Sequence, residues 1–300
     1  MADQFSLSDA EMPAAFHGAD KASLDGQRFA LLTVRWSLRC GLVAAIGGAL
    51  TWRLGEADLD VAAAVSAIAF LIAIGLNLLM NSERYEERWY KGRAIAESVK
   101  TLAWRFSVGG DPFPMSMSID EAAVTMAKRV GDIISTADES TVMAEGGSQI
   151  SERMRALRSA DLESRRKGYI AGRIDDQASW YSGKAKSNRD SRRRWASVLV
   201  VCYLIGFLGA AAKFLGWIDL DVLGVAAAAG GGVVAWVQVR QHRVLAQSYS
   251  IASQELGLAR ERLIAVADED GWALEVSDAE DAISREHTMW LARHGHKSPV

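Results

Sequence analysis

Aromatic, basic and amide side chains alternate in one short stretch of the chain, a combination whose chemistry suits nucleotides. The stretch runs from Trp180 to Arg192, and Trp104 with Arg105 forms a second, smaller group of the same kind. Aromatic rings stack on bases, while cations neutralise phosphates. We therefore take seven residues as candidates for nucleotide contact, namely Trp104, Arg105, Trp180, Tyr181, Lys184, Asn188 and Arg192.

A structural interpretation of these groups stays open. Helices that pack on one face and are solvated on the other also interleave aromatic and basic residues. Arg192, Arg193 and Arg194 directly precede Trp195. Such a cluster is typical of the cytoplasmic edge of a membrane span.

Acidic residues occur in two similar short segments. Asp58-Leu59-Asp60-Val61 recurs as Asp219-Leu220-Asp221-Val222, which indicates an internal duplication. In a ring of subunits, Asp58, Asp60, Asp219 and Asp221 would form an acidic outer mouth that attracts cations. Acidic residues before a helix also cap it and interact favourably with its dipole. The sequence leaves both roles open.

A glycine triplet and one amide interrupt the longest apolar segments. Gly230, Gly231 and Gly232 each cost about 1 kcal/mol in a helix relative to alanine. Close packing of helices and bending at a gate both explain them. Asn77 should face protein or water instead of lipid.

The sequence contains no motif that would indicate an enzyme, a metal site or a cofactor site. Walker A, GxSxG, HExxH and dinucleotide-binding motifs are absent. Cys40 and Cys202 are the only cysteines, so a disulfide scaffold is excluded. The net charge of −3 argues against bulk nucleic-acid binding.

Four apolar segments must position these residues, and they predict a multi-pass membrane protein. About 20 apolar helical residues cross a bilayer. The predicted spans are residues 35–54, 61–80, 195–217 and 222–239. The links within each pair are short, so we expect two hairpins that form a parallel repeat. Basic residues flank the opposite ends, which places both termini and the middle segment in the cytoplasm.

The cytoplasmic part is predicted to be a helical bundle, which makes the fold class all-α. Prolines occur only at 13, 112, 114 and 299. A stripe of apolar residues at helical spacing includes Ile95 and Phe106, and Ser118 to Glu121 and Ser277 to Glu280 match the capping-box pattern of a helix start. Ile95-Ala96 recurs as Ile251-Ala252, which extends the repeat beyond the hairpins.

The middle of the chain, Ser151 to Arg194, is predicted to be a helix with one apolar face and with most basic residues elsewhere. The apolar face comprises Ile170, Ile174, Ala178, Tyr181 and Ala185.

These patterns divide the chain into four parts. Residues 1–28 form an N-terminal leader, 29–143 a first unit with two spans, 144–150 a flexible join, and 151–300 a second unit with two spans. No cleavable signal peptide is expected, since the leader holds acidic and polar residues before any apolar run.

Three strings resemble the SLATT superfamily, the "SMODS and SLOG associating two-helix effector" domains. YIAGRIDDQASWYSGKAKSNRDSRRRW from Tyr169 and SDAEDAISREHTMWLARHG from Ser277 resemble one SLATT type, and LAWRFSVGGDPF from Leu102 resembles another that often precedes it in tandem. The resemblance covers both halves of the chain. It implies a membrane effector of bacterial anti-phage conflict systems, held beside a nucleotidyltransferase that makes a nucleotide signal.

On this basis we expect a homo-oligomeric pore or membrane-disrupting channel of the bacterial inner membrane. Its gate would respond to a cyclic nucleotide or oligonucleotide, or to a nucleotidyltransferase partner, and no other cofactor is expected. Two alternatives stay open. One is a non-conducting membrane scaffold or anchor for cytoplasmic partners. The other is a small transporter, which predicts polar residues at mid-membrane and for which Asn77 is the one amide within the second span.

Overall fold

The computed structural model describes residues 7–55, 59–135 and 147–294, with side chains as far as residue 284. These residues form α-helices and one two-stranded ribbon. The helices are α1 (Ala14–Ala49), α2 (Val61–Glu83), α3 (Tyr85–Val108), α4 (Ile119–Ser135), α5 (Glu152–Arg158), α6 (Leu162–Tyr169), α7 (Asp176–Phe214), α8 (Val222–Arg240), α9 (His242–Ala265) and α10 (Glu269–His294). A 3₁₀ turn spans Asp9–Glu11, and a π-helical segment spans Ile170–Asp175 between α6 and α7.

The predicted fold class, an all-α membrane protein with four transmembrane helices, is confirmed. Four helical segments are long and apolar enough to cross a membrane, and each includes most of one predicted span. They are Ala14–Ala49, Val61–Val108, Leu162–Phe214 and Val222–Ala265.

The helices of the first and third spans end before the residues at which the predicted spans end. Helix α1 ends at Ala49, and strand β1 (Arg53–Leu54) then pairs antiparallel with β2 (Leu59–Asp60). Gly55 follows β1 and has a φ of 75°, a conformation that glycine adopts without a steric penalty, so the chain turns there. Helix α7 likewise ends at Phe214, shortly before Gly216 with a φ of 73°.

The chain folds into two compact units. The first, here called the helical unit, comprises Met1–Gly26, Glu86–Ala185 and Gln247–Val300. The second, the four-span unit, comprises Gln27–Tyr85 and Lys186–Ala246. The units therefore do not coincide with the two halves of the sequence, and the predicted boundaries at 28, 143 and 151 stay predictions.

The core of the helical unit is built on α3. The predicted stripe is confirmed, because its four members are all buried, namely Ile95, Val99, Leu102 and Phe106. Leu7, Met12 and Phe16, which fall in the predicted leader, also belong to this core. The chain from Leu7 onward is thus a packed part of the unit.

The repeat extends into this unit with a corrected register. Helices α3 and α9 each have 24 residues, and each follows a span helix after one residue of positive φ, Arg84 and Gln241. The buried residues of α9 are one position further along than the sequence comparison suggests, namely Ala252, Leu256, Ala259 and Leu263. Ile251 and Leu258, which the sequence comparison matched to buried residues, are 57% and 65% exposed.

One predicted capping box is confirmed and the other was wrong. The Ser118 backbone N–H donates to Glu121 Oε2 at 3.0 Å, and the Glu121 N–H donates to Ser118 Oγ at 3.3 Å. In contrast, α10 already begins at Glu269, so Ser277 lies inside a helix. The Glu280 carboxylate instead binds Arg173, and in this buried pair each charge is compensated by the other.

In the four-span unit, each hairpin is held by close approach of small residues. Gly47 lies so close to α2 that an added Cβ would be 2.4 Å from Ser66 Oγ, and Ser66 Oγ donates to the Ala44 carbonyl at 3.0 Å. In the second hairpin, a Cβ at Gly209 would be 2.6 Å from the Cβ of Val222. Contacts of this kind replace the hydrophobic effect, which does not drive association of helices within lipid.

Candidate functional site

The helical unit contains an open cavity of about 850 Å³, a volume within the usual range for ligand sites. It is lined by the chain around the start of α1, by α3, and by the π-helical segment with the first residues of α7. Three aromatic side chains contribute to the lining, namely Phe16, Trp104 and Trp180.

The π-helical segment shapes one wall of this cavity. The sequence predicted one helix from Ser151 to Arg194, whereas the structure has α5, α6, the π segment and the start of α7 in this range. Ala171 and Gly172 of the π segment face the cavity, while Arg173 in the same segment is fully buried and binds Glu280. A π segment of this kind is frequent at functional sites.

The cavity brings together residues from both predicted nucleotide-contact groups. Trp104 comes from α3 and Trp180 from α7, and no sequence pattern indicated that they share a surface. Trp104 is fully buried, and its indole N–H has no hydrogen-bond partner among the described residues. Trp180 is partly exposed and packs edge-on against Tyr249 at 5.5 Å between ring centres. A buried donor without a partner costs free energy.

Two cations line the cavity, and each already has a carboxylate partner. Lys100 Nζ lies 2.6 Å from Asp9 Oδ1 and 5.5 Å from the centre of the Phe16 ring. Arg93 pairs with Glu97, one turn further along α3, at 2.9 Å. The cavity therefore offers no cation that is both exposed to it and unpaired among the described lining residues.

Asp20 is the partly buried carboxylate of the cavity that makes no hydrogen bond or ion pair with a described residue. Burial raises its pKa above the ordinary value, and the charges of Asp9 and Glu97 act in the same direction. Arg93 and Lys100 oppose this effect. Asp176 also lines the cavity, but its side chain is exposed.

The other nucleotide-contact candidates lie elsewhere. Tyr181 is buried against Tyr249, Lys184 Nζ lies 5.4 Å from the centre of the Trp180 ring, and Arg105 donates to Asp281 Oδ1 at 2.7 Å. None of these three lines the cavity.

Asn188 and Arg192 belong to the four-span unit. Asn188 Oδ1 lies 2.8 Å from His242 Nδ1, and Arg192 is exposed.

The structure gives two of the predicted outer-mouth carboxylates a capping role. Asp60 Oδ1 accepts from the N–H groups of Ala62 and Ala63 at the start of α2. Asp221 Oδ1 accepts from the Gly224 N–H at 3.1 Å at the start of α8. Asp219 is exposed, and Asp58 lies outside the described residues. A carboxylate that caps a helix keeps its negative charge. A role of these residues at the mouth of a pore therefore stays a prediction.

The three glycines of the triplet have different surroundings. A Cβ at Gly230 would contact Leu199, Cys202 and Tyr203 at 3.6–3.8 Å, which fits close packing of α7 and α8. No described atom lies within 4 Å of a Cβ added at Gly231 or Gly232. In the first hairpin, Asn77 Nδ2 donates to Ser37 Oγ at 3.2 Å and to the Ala73 carbonyl at 2.8 Å.

Sequence reasoning missed a network of buried arginines beneath the cavity wall. Arg173 donates to both carboxylate oxygens of Glu280, at 2.9 and 2.8 Å, and the hydroxyl groups of Tyr169 and Thr101 donate to the same carboxylate. The apolar face of this region is confirmed by the burial of Ile170, Ile174, Tyr181 and Ala185. The sequence did not indicate that basic residues of the region, Arg158, Arg165 and Arg173, are buried as well.

The other two buried arginines bind mainly backbone carbonyl groups. Arg158 donates to the carbonyls of Phe106, Phe113, Pro114 and Met117, and Arg165 donates to those of Val108 and Ala160 and to Glu269. The helical spacing of Arg165, Tyr169 and Arg173 on one face was the available signal.

The fold defines a multi-pass membrane protein with an additional helical unit. The family model of SMODS and SLOG-associating 2TM effector domain 3 matches residues 13–166, and that of SMODS and SLOG-associating 2TM effector domain 1 matches residues 169–290. The chain therefore belongs to the SLATT family, as a tandem SLATT membrane effector, which confirms the resemblance stated above. No curated protein and no solved structure matches the chain.

Proposed function

We propose that this chain is the effector of a nucleotide-signalling anti-phage system of the bacterial inner membrane. The four-span unit would form an oligomeric pore or membrane lesion, and the helical unit would respond to a nucleotide signal or to a nucleotidyltransferase partner. The proposal that the helical unit senses a nucleotide rests on the cavity that Trp104 and Trp180 both line. The names of both family models, which state association with SMODS and SLOG, support the signalling context.

Assembly from several copies follows from the composition of the spans. Four short helices rich in alanine and glycine do not enclose a hydrated channel within one chain. Gly231 and Gly232 leave one side of α8 without a close neighbour among the described residues, so a second copy can approach there. A closed ring of copies would also bring the outer carboxylates together.

Gating would use helices that continue along the chain from one unit into the other. Helix α1 runs from Ala14 to Ala49 and α7 from Asp176 to Phe214, so each contributes residues to the helical unit and to a span. A ligand that favours one packing of the helical unit would shift the population of span arrangements. The positive-inside rule supports a cytoplasmic position for the helical unit and both termini.

The direct test is ion flux through liposomes that contain the purified full-length chain. We expect flux that changes when a cyclic nucleotide, an oligonucleotide or a nucleotidyltransferase partner is added. The absence of flux under all these conditions would instead support a non-conducting scaffold.

A second comparison tests the acidic mouth. Asn caps helices about as well as Asp, so Asp60→Asn, Asp219→Asn and Asp221→Asn together remove charge and keep the caps. We expect the preference for cations over anions to fall, with expression and folding retained. An unchanged preference would limit these carboxylates to their capping role.

A further inference from the structure

Arginine and tryptophan side chains from three helices meet in the four-span unit, at the end opposite its two short links. This region, here called the basic edge, comprises Arg35 of α1, Arg192 to Trp195 of α7, and Trp236 and Arg240 of α8. Trp236 lies about 21 Å along α8 from its first residue, Val222, at about 1.5 Å per residue. The hydrocarbon core of a bilayer is about 30 Å thick, and tryptophan and arginine are typical of its boundary. The basic edge therefore corresponds to the level of the phospholipid headgroups.

Trp236 is the centre of the basic edge. Its side chain is buried, and the guanidinium carbons of Arg35 and Arg240 lie 5.0 and 5.7 Å from the centre of its ring. The Trp195 ring packs edge-on against it at 6.4 Å between ring centres. Arg35 belongs to the first hairpin and Trp236 to the second, so the two hairpins meet here. One ring thus holds two cations near each other, although like charges repel.

The cations of the basic edge lack counter-charges within the protein. Arg35 is exposed, and its contact with Trp236 is the one interaction that it makes with a described residue. Arg192 to Arg194 are also exposed and have no carboxylate partner among the described residues. In the helical unit, by contrast, the partly exposed Arg260 and Arg262 each form an ion pair. Cations left uncompensated by the fold attract anions from outside it.

A phospholipid phosphate is the anion that fits this position. Basic pockets between membrane-spanning helices bind anionic headgroups, and the bilayer supplies these phosphates at the level of the basic edge. A guanidinium in contact with a ring face keeps its in-plane N–H groups, which bind a phosphate as a pair. A zwitterionic lipid carries the same phosphate, but its own cation offsets the charge. The basic edge should therefore prefer anionic lipids.

We propose that Arg35 and Arg240, both held at the Trp236 ring, bind the phosphate of an anionic phospholipid, which thereby bridges the two hairpins. Arg192 to Arg194 add a general attraction of anionic lipids to the same edge. This inference goes beyond the function proposed above, since it depends neither on conduction nor on a nucleotide signal.

Native mass spectrometry of the full chain tests the lipid preference. The chain is released from detergent micelles that contain equal amounts of phosphatidylglycerol and phosphatidylcholine, and the retained lipids are counted. We expect about tenfold or more phosphatidylglycerol than phosphatidylcholine, because two cations at the membrane surface favour an anionic lipid by this order. Equal retention of the two lipids would overturn the proposal.

Variants of exposed arginines separate a defined site from a general surface charge. Arg35→Gln should lower phosphatidylglycerol retention about tenfold, because it removes both a charge and hydrogen bonds to the phosphate. Arg193→Gln is the matched control on the same edge and should lower retention less, at most about fivefold. Arg35→Lys keeps the charge but loses the planar pair of donors, so it should still lower retention about twofold or more. Equal effects of Arg35→Gln and Arg193→Gln, or full retention with Arg35→Lys, would contradict the site.

Two further measurements complete the test. Lys213→Gln removes an exposed cation at the other end of α7 and should leave retention unchanged. Loss of retention in this variant would contradict a site at the basic edge. Inorganic phosphate should displace the lipid no better than sodium chloride of the same ionic strength. Specific displacement by phosphate would assign the site to a soluble anion and overturn the lipid assignment. A melting curve of each variant confirms that it is folded.

Discussion

The helices of the two units are held together by opposite kinds of residue contact. The helical unit encloses large buried side chains and fully buried charges, including Trp104, Trp272 and the Arg173–Glu280 pair. The four-span unit instead directs bulky apolar residues such as Phe70 and Phe207 outward, and its helices meet at small residues. The difference follows from the surroundings, since apolar surface is costly in water and costs nothing in lipid.

Removal of the Glu280 carboxylate should cause the largest loss of folding stability in the helical unit. Glu280→Ala leaves the buried Arg173 guanidinium without its charged partner, which typically costs about 3–5 kcal/mol. Glu275→Ala in the same helix is the control, because its pair with Arg262 is partly exposed and should contribute less than about 1 kcal/mol. Thermal unfolding in detergent measures both. Equal effects would show that burial does not distinguish the two pairs.

Adjacent glycines in the first span test the small-residue contacts of the four-span unit. Gly47→Ala should destabilise the α1–α2 hairpin by about 1–3 kcal/mol, because the added Cβ would collide with Ser66 Oγ and the Ala62 carbonyl. Gly48→Ala meets no described atom within 4 Å and should gain up to about 1 kcal/mol from helix propensity. Denaturant titration in micelles compares them, and a destabilising Gly48→Ala would argue against this seam.

Neighbouring carboxylates in the second link test the capping role. Asp221→Ala should cost about 1 kcal/mol, since Asp221 caps α8 at the Gly224 N–H. Asp219→Ala should be close to neutral, because Asp219 is exposed and makes no described hydrogen bond. Unfolding in the same micelles checks the difference. A larger loss with Asp219→Ala would reverse the assignment.

Asp20 gives the smallest effect. Its pKa is higher in the folded protein than in the unfolded chain, so the folded state favours the protonated form. Stability from this group is therefore greatest at low pH and declines as the pH rises through its folded pKa. At pH 7, Asp20→Asn should stabilise the helical unit, by less than about 1 kcal/mol because the group is only half-buried. The gain should vanish near pH 3 in melting curves recorded across pH.

The sequence predicted the membrane part well because apolar length is a local property. Twenty apolar residues such as those of α2 cross a bilayer in almost any context. The helices of the first and third spans end before the predicted residues, at Ala49 and Phe214, because a helix end depends on a few local residues and not on apolar length. Repetition of the hairpins was also visible in the residues, although the register of α9 needed the burial pattern.

The candidate site was only partly predictable. Residue type was enough to select Trp104 and Trp180 as candidates. The cavity that both line also depends on the π-helical segment, which no local sequence pattern predicted. Asp20 was passed over because it falls in the predicted leader. Glu280 was assigned to a capping box, since the sequence does not reveal that Arg173 lies opposite it. Tertiary contacts override a local motif when a buried charge needs a partner.

Site-directed cysteine labelling tests most directly the claim that the two units lie in different environments. In a background with Cys40→Ala and Cys202→Ala, single cysteines would be placed at Leu54 and Trp217 in the short links and at Ser179 and Leu274 in the helical unit. With a membrane-impermeant maleimide on intact bacterial spheroplasts, the link positions should react and the helical-unit positions should react only after lysis. Reaction at Ser179 or Leu274 in intact spheroplasts would contradict the account.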